Sequence, residues 1–251
     1  TAWRYRLDRR IRTALMFILS RIVPRCAPWP VDLRREKIEK IILVRGVFRL
    51  GNAILATPAI LLFRQNFPTA QIDFVGANAA KPLFINLPID RYHGVFHNYL
   101  KQGWRYWVLL REMRAEKFDL AVDVSGSSSA MGALLVGFSG ARLRAGLNGK
   151  WDRWFNLRFP RSGELNKYQS MSHLIGAMGL AAGVCYPRVM LSPDELAQGR
   201  QRVSAMLGDA VAPVVGIFVG GRKTRGKRWA KESFLQLALI LHASGARVIV
   251  F

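Results

Sequence analysis

Two stretches of this chain concentrate glycine and positive charge where an apolar strand pattern gives way to a helical one. The first runs Lys40-Ile-Ile-Leu-Val-Arg-Gly-Val-Phe-Arg-Leu-Gly-Asn-Ala-Ile-Leu-Ala-Thr-Pro-Ala59. The second is the loop Gly221-Arg-Lys-Thr-Arg-Gly-Lys-Arg228 that follows Pro213-Val-Val-Gly-Ile-Phe-Val-Gly220. The chemistry this pattern suits is anion binding: a helix N-terminus presents unpaired backbone N–H groups, and nearby guanidinium or ammonium groups add charge. In the first loop the cations are Arg45 and Arg49. In the second they are Arg222, Lys223, Arg225, Lys227 and Arg228. The same spacing also fits a buried strand-turn-helix whose arginines are merely solvated, and spacing alone leaves both readings open.

The second loop matches most of a phosphate-binding P-loop, Gly221-x-x-x-x-Gly226-Lys227. That motif needs Ser or Thr next, to hold magnesium. Arg228 stands there instead, followed by Trp229. Without the hydroxyl the metal loses its protein ligand, so an ATPase is disfavoured. A basic loop that grips a diphosphate remains.

The elements that must position these loops follow in order. Ile41–Val44 is an apolar run of the kind buried on both faces of a parallel sheet. Ala53 onward carries apolar residues at helical spacing. Gln71–Ala77 reads as a second strand, Ala79–Asn86 as a short helical stretch, and Tyr92–Phe96 as a third strand. Trp104–Lys117 reads as a helix, Asp119–Ser125 as a strand, Ala130–Phe138 as an apolar helix, and Ala141–Leu147 as a strand. Residues 148–165 interleave aromatic and basic side chains without regular period, a mix that fits loops over a substrate cleft first, and also a surface that stacks single-stranded bases or an apolar patch rimmed by arginines. Met171–Leu180 reads as a helix, with His173 a structural residue. Pro187–Pro193 reads as a linker, Asp194–Leu207 as a helix opened by Ser192-Pro193, and Lys231–Ala243 as a helix. Arg247–Phe251 reads as a strand, so the chain is expected to be cut at its C-terminus. Strand, basic glycine loop and helix thus occur twice, which predicts an α/β protein with two Rossmann-like domains, the second incomplete. Ligands in such sheets sit beyond the carboxyl ends of the strands.

Charge narrows the partner classes. The 251 residues carry 38 Lys and Arg against 16 Asp and Glu, a net charge of +22, which favours a nucleic acid, an acidic lipid or a phosphorylated substrate. Residues 1–37 read as a basic N-terminal extension. Within it Leu7, Ile11, Leu15, Ile18 and Ile22 recur at helical steps among seven arginines up to Arg25. Its longest uncharged run, Thr13–Ser20, is far short of the ~20 residues of a membrane span. It suits a helix lying on an anionic membrane surface, or one packing its apolar stripe on the domain. The two cysteines, Cys26 and Cys185, fit no metal spacing, and a reducing compartment is the simpler reading.

Val44 to Pro58 resembles the N-terminal signature of glycosyltransferase family 9, the ADP-heptose:lipopolysaccharide heptosyltransferases. The resemblance continues through Phe118-Asp-Leu-Ala-Val-Asp-Val-Ser-Gly126 and Gly140-Ala-Arg-Leu-Arg-Ala-Gly146. It returns at Gly220-Gly221, Lys227-Arg-Trp229 and Phe234. It implies the GT-B arrangement: an acceptor domain over residues 38–186 and a partial nucleotide-sugar domain over 187–251. It implies inverting, metal-independent transfer of a heptose-type sugar from a nucleoside diphosphate to a phosphorylated, lipid-linked glycan, with no cofactor and no nucleic acid. The setting implied is the cytoplasmic side of the cell membrane. By the resemblance Lys227, Thr224 and Gly221 meet the donor phosphates, and Arg45 and Arg49 meet the acceptor. Asn52 occupies the place of the family's usual Asp base; an amide cannot take up a proton at neutral pH, so Asp123 is a second candidate. The family's later donor-site segment would lie beyond Phe251, so the polypeptide is expected to be inactive by itself. A non-catalytic glycan- or lipid-binding relative is the alternative that Asn52 raises. A nucleic-acid-binding protein is the alternative raised by charge.

Overall fold

The computed structural model describes residues 10, 11, 13, 14, 16–19, 21, 26–28, 32–46, 50–96, 102–126, 129–161, 165–208, 213–220 and 229–251. The chain divides into two compact units, Thr1–Met190 and Leu191–Phe251.

In the first unit six parallel strands form one sheet in the order β3-β2-β1-β4-β5-β6. They are β1 (Lys40–Val44), β2 (Gln71–Ala77), β3 (Arg91–Val95), β4 (Leu120–Asp123), β5 (Leu143–Leu147) and β6 (Leu157–Phe159). The central strand β1 pairs Val44 with Val75 on one side and with Asp123 on the other. Helices cover both faces, so Ile41 to Val44 are all fully buried, as the unbroken aliphatic run predicts. One face packs Ile41, Leu43, Ile72 and Phe74 beneath α2 (Thr57–Asn66) and α5 (Lys167–Ala177). The other packs Ile42, Val44, Val75 and Ala121 beneath α3 (Gly103–Glu116) and α4 (Ala130–Gly137). Met16, from the N-terminal helical residues, is buried in this second cluster too.

The first predicted helix is broken in two, α1 (Leu50–Ile54) and α2. Pro58 explains the break. It sits in the first turn of α2, where its missing N–H costs nothing, but inside a continuous helix it would clash with the preceding turn. Thr57 Oγ1 closes the corner by donating to Ile54 O at 2.9 Å. Residues 148–165 also differ from expectation. Their described residues contain a 3-10 turn, Asp152–Trp154, and the edge strand β6. Trp154 and Phe155 are only 2% exposed and fill the core beneath α4, so these aromatics are packing residues and line no cleft. His173 is exposed on α5.

The second unit holds α6 (Pro193–Leu207), β7 (Val214–Ile217), α7 (Lys231–Ala243) and β8 (Arg247–Val250), with β7 and β8 paired in parallel. Ser192 caps α6 in a reciprocal box with Glu195, the reason this helix starts where it does. Both cysteines are unpaired. No helix among the described residues is long and apolar enough to cross a membrane.

Candidate functional site

The strand order places a topological switch point between β1 and β4. The chain leaves β1 toward β2 and β3, then returns to the other side of β1 to build β4, β5 and β6. In open α/β sheets the connections from the two neighbours diverge at such a point, and ligands bind there, beyond the strands' carboxyl ends. Arg45, Gly46, Asp123 and Ser125 meet at this spot.

Backbone pairing fixes the frame. Arg45 N donates to Val75 O at 2.9 Å, and Val124 N donates to Val44 O at 2.9 Å. Gly46 N donates to Ser125 Oγ at 3.1 Å, and Ser125 N donates to Asp123 Oδ1 at 3.0 Å. Ser129 then caps α4, its Oγ accepting from Gly132 N at 3.1 Å. Two glycines let these segments approach. A Cβ on Gly46 would strike Gly132 N and Ser129 Oγ. A Cβ on Gly132 would lie 2.6 Å from Asp123 Oδ1. The Asp123 carboxylate is thus pressed against the first turn of α4.

The electrostatics are unbalanced in an informative way. Arg45 is 1% exposed. Its Nη1 donates to Val124 O at 2.8 Å, while Nε and Nη2 are buried with no hydrogen-bond partner among the described residues. Burial pulls its pKa down to about 10, and the charge of Asp123 only partly opposes this. Burial likewise pushes Asp123 up to about 7, against the hydrogen bonds from Ser125 and the charge of Arg45. A guanidinium with donors to spare and a carboxyl that holds its proton near neutrality are both short of counter-charge and hydrogen bonds. Such groups hold capacity for an anionic or hydroxyl-bearing ligand.

Of the residues singled out in the sequence, the structure brings together Arg45 and Asp123. Asn52 lies half-buried on α1, the short helix after the first glycine loop. Arg49, Gly221, Thr224 and Lys227 lie outside the described residues. Beside the second loop, the Trp229 and Phe234 rings pack with centroids 5.5 Å apart. Sequence reasoning missed Ser125, Ser129 and Gly132. Ser129 carried a usable signal, a hydroxyl just before an apolar helical run. Gly132 carried none, because its constraint comes from a carboxylate nine residues upstream.

Comparison with known proteins follows the same outline. The family model described as Glycosyltransferase family 9 (heptosyltransferase) matches residues 106–251, more than half of the chain. Lipooligosaccharide heptosyltransferase 2 of Haemophilus ducreyi is 24% identical over 229 residues, which are 84% of this chain and 62% of the relative. This chain therefore spans less than two thirds of that relative's length. Among solved structures, a family 9 glycosyl transferase from Veillonella parvula superposes with a TM-score of 0.72 at 18% identity, over 88% of this chain and 63% of the other. Escherichia coli ADP-heptose lps heptosyltransferase II gives 0.59 at 19% identity, over 84% and 64%. E. coli heptosyltransferase WaaC with ADP gives 0.62 at 15% identity, over 84% and 67%. The mostly parallel α/β fold expected from the sequence is the fold these structures share. By its match to the family model over more than half its length, this chain belongs to glycosyltransferase family 9.

Proposed function

We propose that this chain supplies the acceptor side and part of the donor side of an inverting heptosyltransferase. The enzyme moves a heptose-type sugar from a nucleoside diphosphate to a lipopolysaccharide core or related lipid-linked glycan. The observation that carries the reading is Arg45, buried with two unpartnered nitrogens at the β1/β4 switch point. Family membership makes the chemistry a glycosyl transfer. Relatives supply the sugar: E. coli WaaC has been solved with ADP and with ADP-2-deoxy-2-fluoro heptose.

In this reading an acceptor hydroxyl attacks the anomeric carbon from the face opposite the diphosphate. The C–O bond to the diphosphate breaks, the hydroxyl proton leaves to a base, and the configuration inverts. Lys227, with Thr224 and Gly221, meets the departing diphosphate and stabilises its growing charge. Arg49 meets an acceptor phosphate, and Arg45 acts as a fixed positive charge behind it. Asp123, at the same carboxyl edge, is the candidate base for that proton, and it also accepts from Ser125 N, whose hydroxyl accepts from the Gly46 backbone. Asn52 orients the acceptor hydroxyl, because its amide cannot accept the proton. The basic N-terminal residues 1–37 hold the enzyme against the anionic inner face of the cell membrane, where a lipid-linked acceptor resides.

The test is ADP release by the complete protein from ADP-heptose in the presence of a lipid A–core acceptor. Release that needs both substrates and disappears in Lys227→Met supports the reading. No release across a panel of ADP- and GDP-sugars sinks it. Asn52 favours one second reading, a non-catalytic glycan-binding relative. An Asn52→Asp variant that still binds acceptor but gains no transfer supports that second reading.

A further inference from the structure

The outer face of α3 sets exposed tryptophans beside arginines. Tyr106, Leu109 and Met113 form its buried side. At about 100° per residue, Trp104, Trp107, Arg111 and Arg114 fall within an arc of about 80° on the opposite side. Trp104 and Trp107 are 64% and 63% exposed, large apolar areas to leave in water. Cations attend them: the Arg111 guanidinium lies 5.8 Å from the Trp107 ring centroid, and that of Arg105 lies 5.6 Å from Trp104. Within that arc every charged residue is basic; Glu112 lies on the flank.

The neighbouring N-terminal helical residues repeat the pattern. Met16 is buried in the same cluster as Tyr106 and Leu109, so this segment covers the same sheet face as α3. Its Phe17 and Ile18 are 56% and 53% exposed, with the Arg21 guanidinium 4.9 Å from the Phe17 ring. One face of the first unit therefore presents two strips of exposed apolar and aromatic side chains interleaved with arginine. The chain as a whole carries +22, so charge complementarity selects an anionic occupant.

We propose that this face, with Trp104 and Trp107 of α3 at its centre, docks on a bilayer bearing anionic head groups. The proposal rests on the membrane reading given above and deepens it by naming the surface. Tryptophan suits the boundary between acyl chains and water, and each arginine adds attraction to anionic lipid. The direction of α3 gives the docking a purpose. Because α3 links two parallel strands, β3 and β4, it runs antiparallel to them. Its Trp104 end therefore lies toward the carboxyl edge of the sheet, the edge that holds the candidate site. Docking there brings that edge toward the membrane that carries a lipid-linked acceptor. A single-stranded nucleic acid could also stack on exposed tryptophans. The observations favour the bilayer, because exposed aliphatic side chains such as Ile18 gain from acyl chains and gain little from bases.

The test is co-sedimentation of the whole chain with vesicles of phosphatidylethanolamine and phosphatidylglycerol, alongside phosphatidylcholine vesicles and a single-stranded oligonucleotide. The expected result is binding to the anionic vesicles that weakens with salt. Trp104→Ala/Trp107→Ala should weaken it about tenfold or more, and Arg111→Glu about tenfold at low salt. Leu239→Ala, in the second unit, should leave it unchanged. Far-ultraviolet circular dichroism checks that each variant is folded, as expected when only exposed side chains are cut. Unchanged vesicle binding by the folded double variant overturns this face while leaving the membrane reading standing. No vesicle binding by the unaltered chain overturns both. Preference for the oligonucleotide over anionic vesicles also overturns the proposal. Transfer to a water-soluble acceptor fragment is scored separately, so failure of the catalytic reading stays distinguishable.

Discussion

At the amino edge of the six-stranded sheet the charged groups are matched to partners. Asp119 Oδ2 accepts from the Glu39 and Lys40 backbone N–H groups, both at 2.9 Å. Asp90 Oδ2 accepts from Ile72 N and from Arg64 Nη2, both at 2.7 Å. Glu116, at the end of α3, takes Lys40 at 3.0 Å and also Arg91. At the carboxyl edge of the same sheet, Arg45 keeps two buried nitrogens without partners and Asp123 is driven toward neutrality by burial. The first arrangement ties strand ends together and contributes stability. The second costs stability and retains capacity to bind. A parallel sheet sends its strand-to-helix loops to the carboxyl edge, so the under-satisfied groups collect beside the loops where such sheets bind ligands.

The most damaging change to this contrast is a side chain between the two segments of the carboxyl edge. Gly46→Val and Gly132→Val each drive Cβ into backbone or into the Asp123 carboxylate. Neither neighbour can move without breaking the β1/β4 frame. Each should cost about 3–5 kcal/mol, read by chemical denaturation. A loss below 1 kcal/mol in both would mean that the close approach is dispensable.

Asp123 offers the sharpest measurement. Its folded pKa, about 7, lies above the ordinary carboxylate value of 3.8. The folded protein therefore binds more protons than the unfolded chain between those limits. The stability this group supports is complete below the ordinary value and is lost as pH rises toward 7. Asp123→Asn removes that dependence. From pH 5 to pH 8 the variant should gain on the order of 2–3 kcal/mol relative to the parent. A variant that instead loses ground on the way to pH 8 would show that the Arg45–Asp123 attraction outweighs desolvation, and the carboxyl edge would then resemble the amino edge.

How much of this was legible beforehand differs between the two edges. The apolar run Ile41–Val44, the glycines and Arg45 located the first strand and its loop because local composition determines them. α7 was bounded by Lys231 and Ala243 as read, since its period is regular. β6 was invisible: three residues, Leu-Arg-Phe, carry too little period, and its strand identity comes from pairing with β5. Trp154 and Phe155 misled, because basic neighbours made core aromatics resemble a binding surface. The satisfaction of Asp119 and the starvation of Arg45 were equally hidden. Both depend on what lies about 80 positions away in the chain.

At the amino edge, Asp119→Ala deletes two charge-assisted bonds from the Glu39 and Lys40 backbone N–H groups. The expected cost is about 1–2 kcal/mol at pH 7. Vesicle binding and any substrate binding should not change. A matching loss of ligand affinity would mean that the two edges are mechanically coupled, and the division between a stabilising and a binding edge would fail.

The smallest expected effect belongs to Asp90, whose side chain is 47% exposed. Burial acts to raise its pKa and is outweighed by the Ile72 N–H bond and by Arg64 and Arg91, so the group sits below the ordinary carboxylate value. Its contribution is therefore present above that value and is lost as pH falls through the depressed one. Solvent screening keeps the size modest. Melting temperatures of the parent and Asp90→Asn should differ slightly at pH 6 and converge as the solution is acidified below pH 4. This trend is opposite in direction to that of Asp123, where the variant separates from the parent as pH rises. Two carboxylates of one sheet would then titrate stability in opposing senses, as expected if one is fully partnered and the other is held in reserve. If Asp90→Asn instead gained stability toward alkaline pH, as Asp123→Asn should, the amino edge too would carry an unsatisfied charge, and the contrast would have to be redrawn around Glu116.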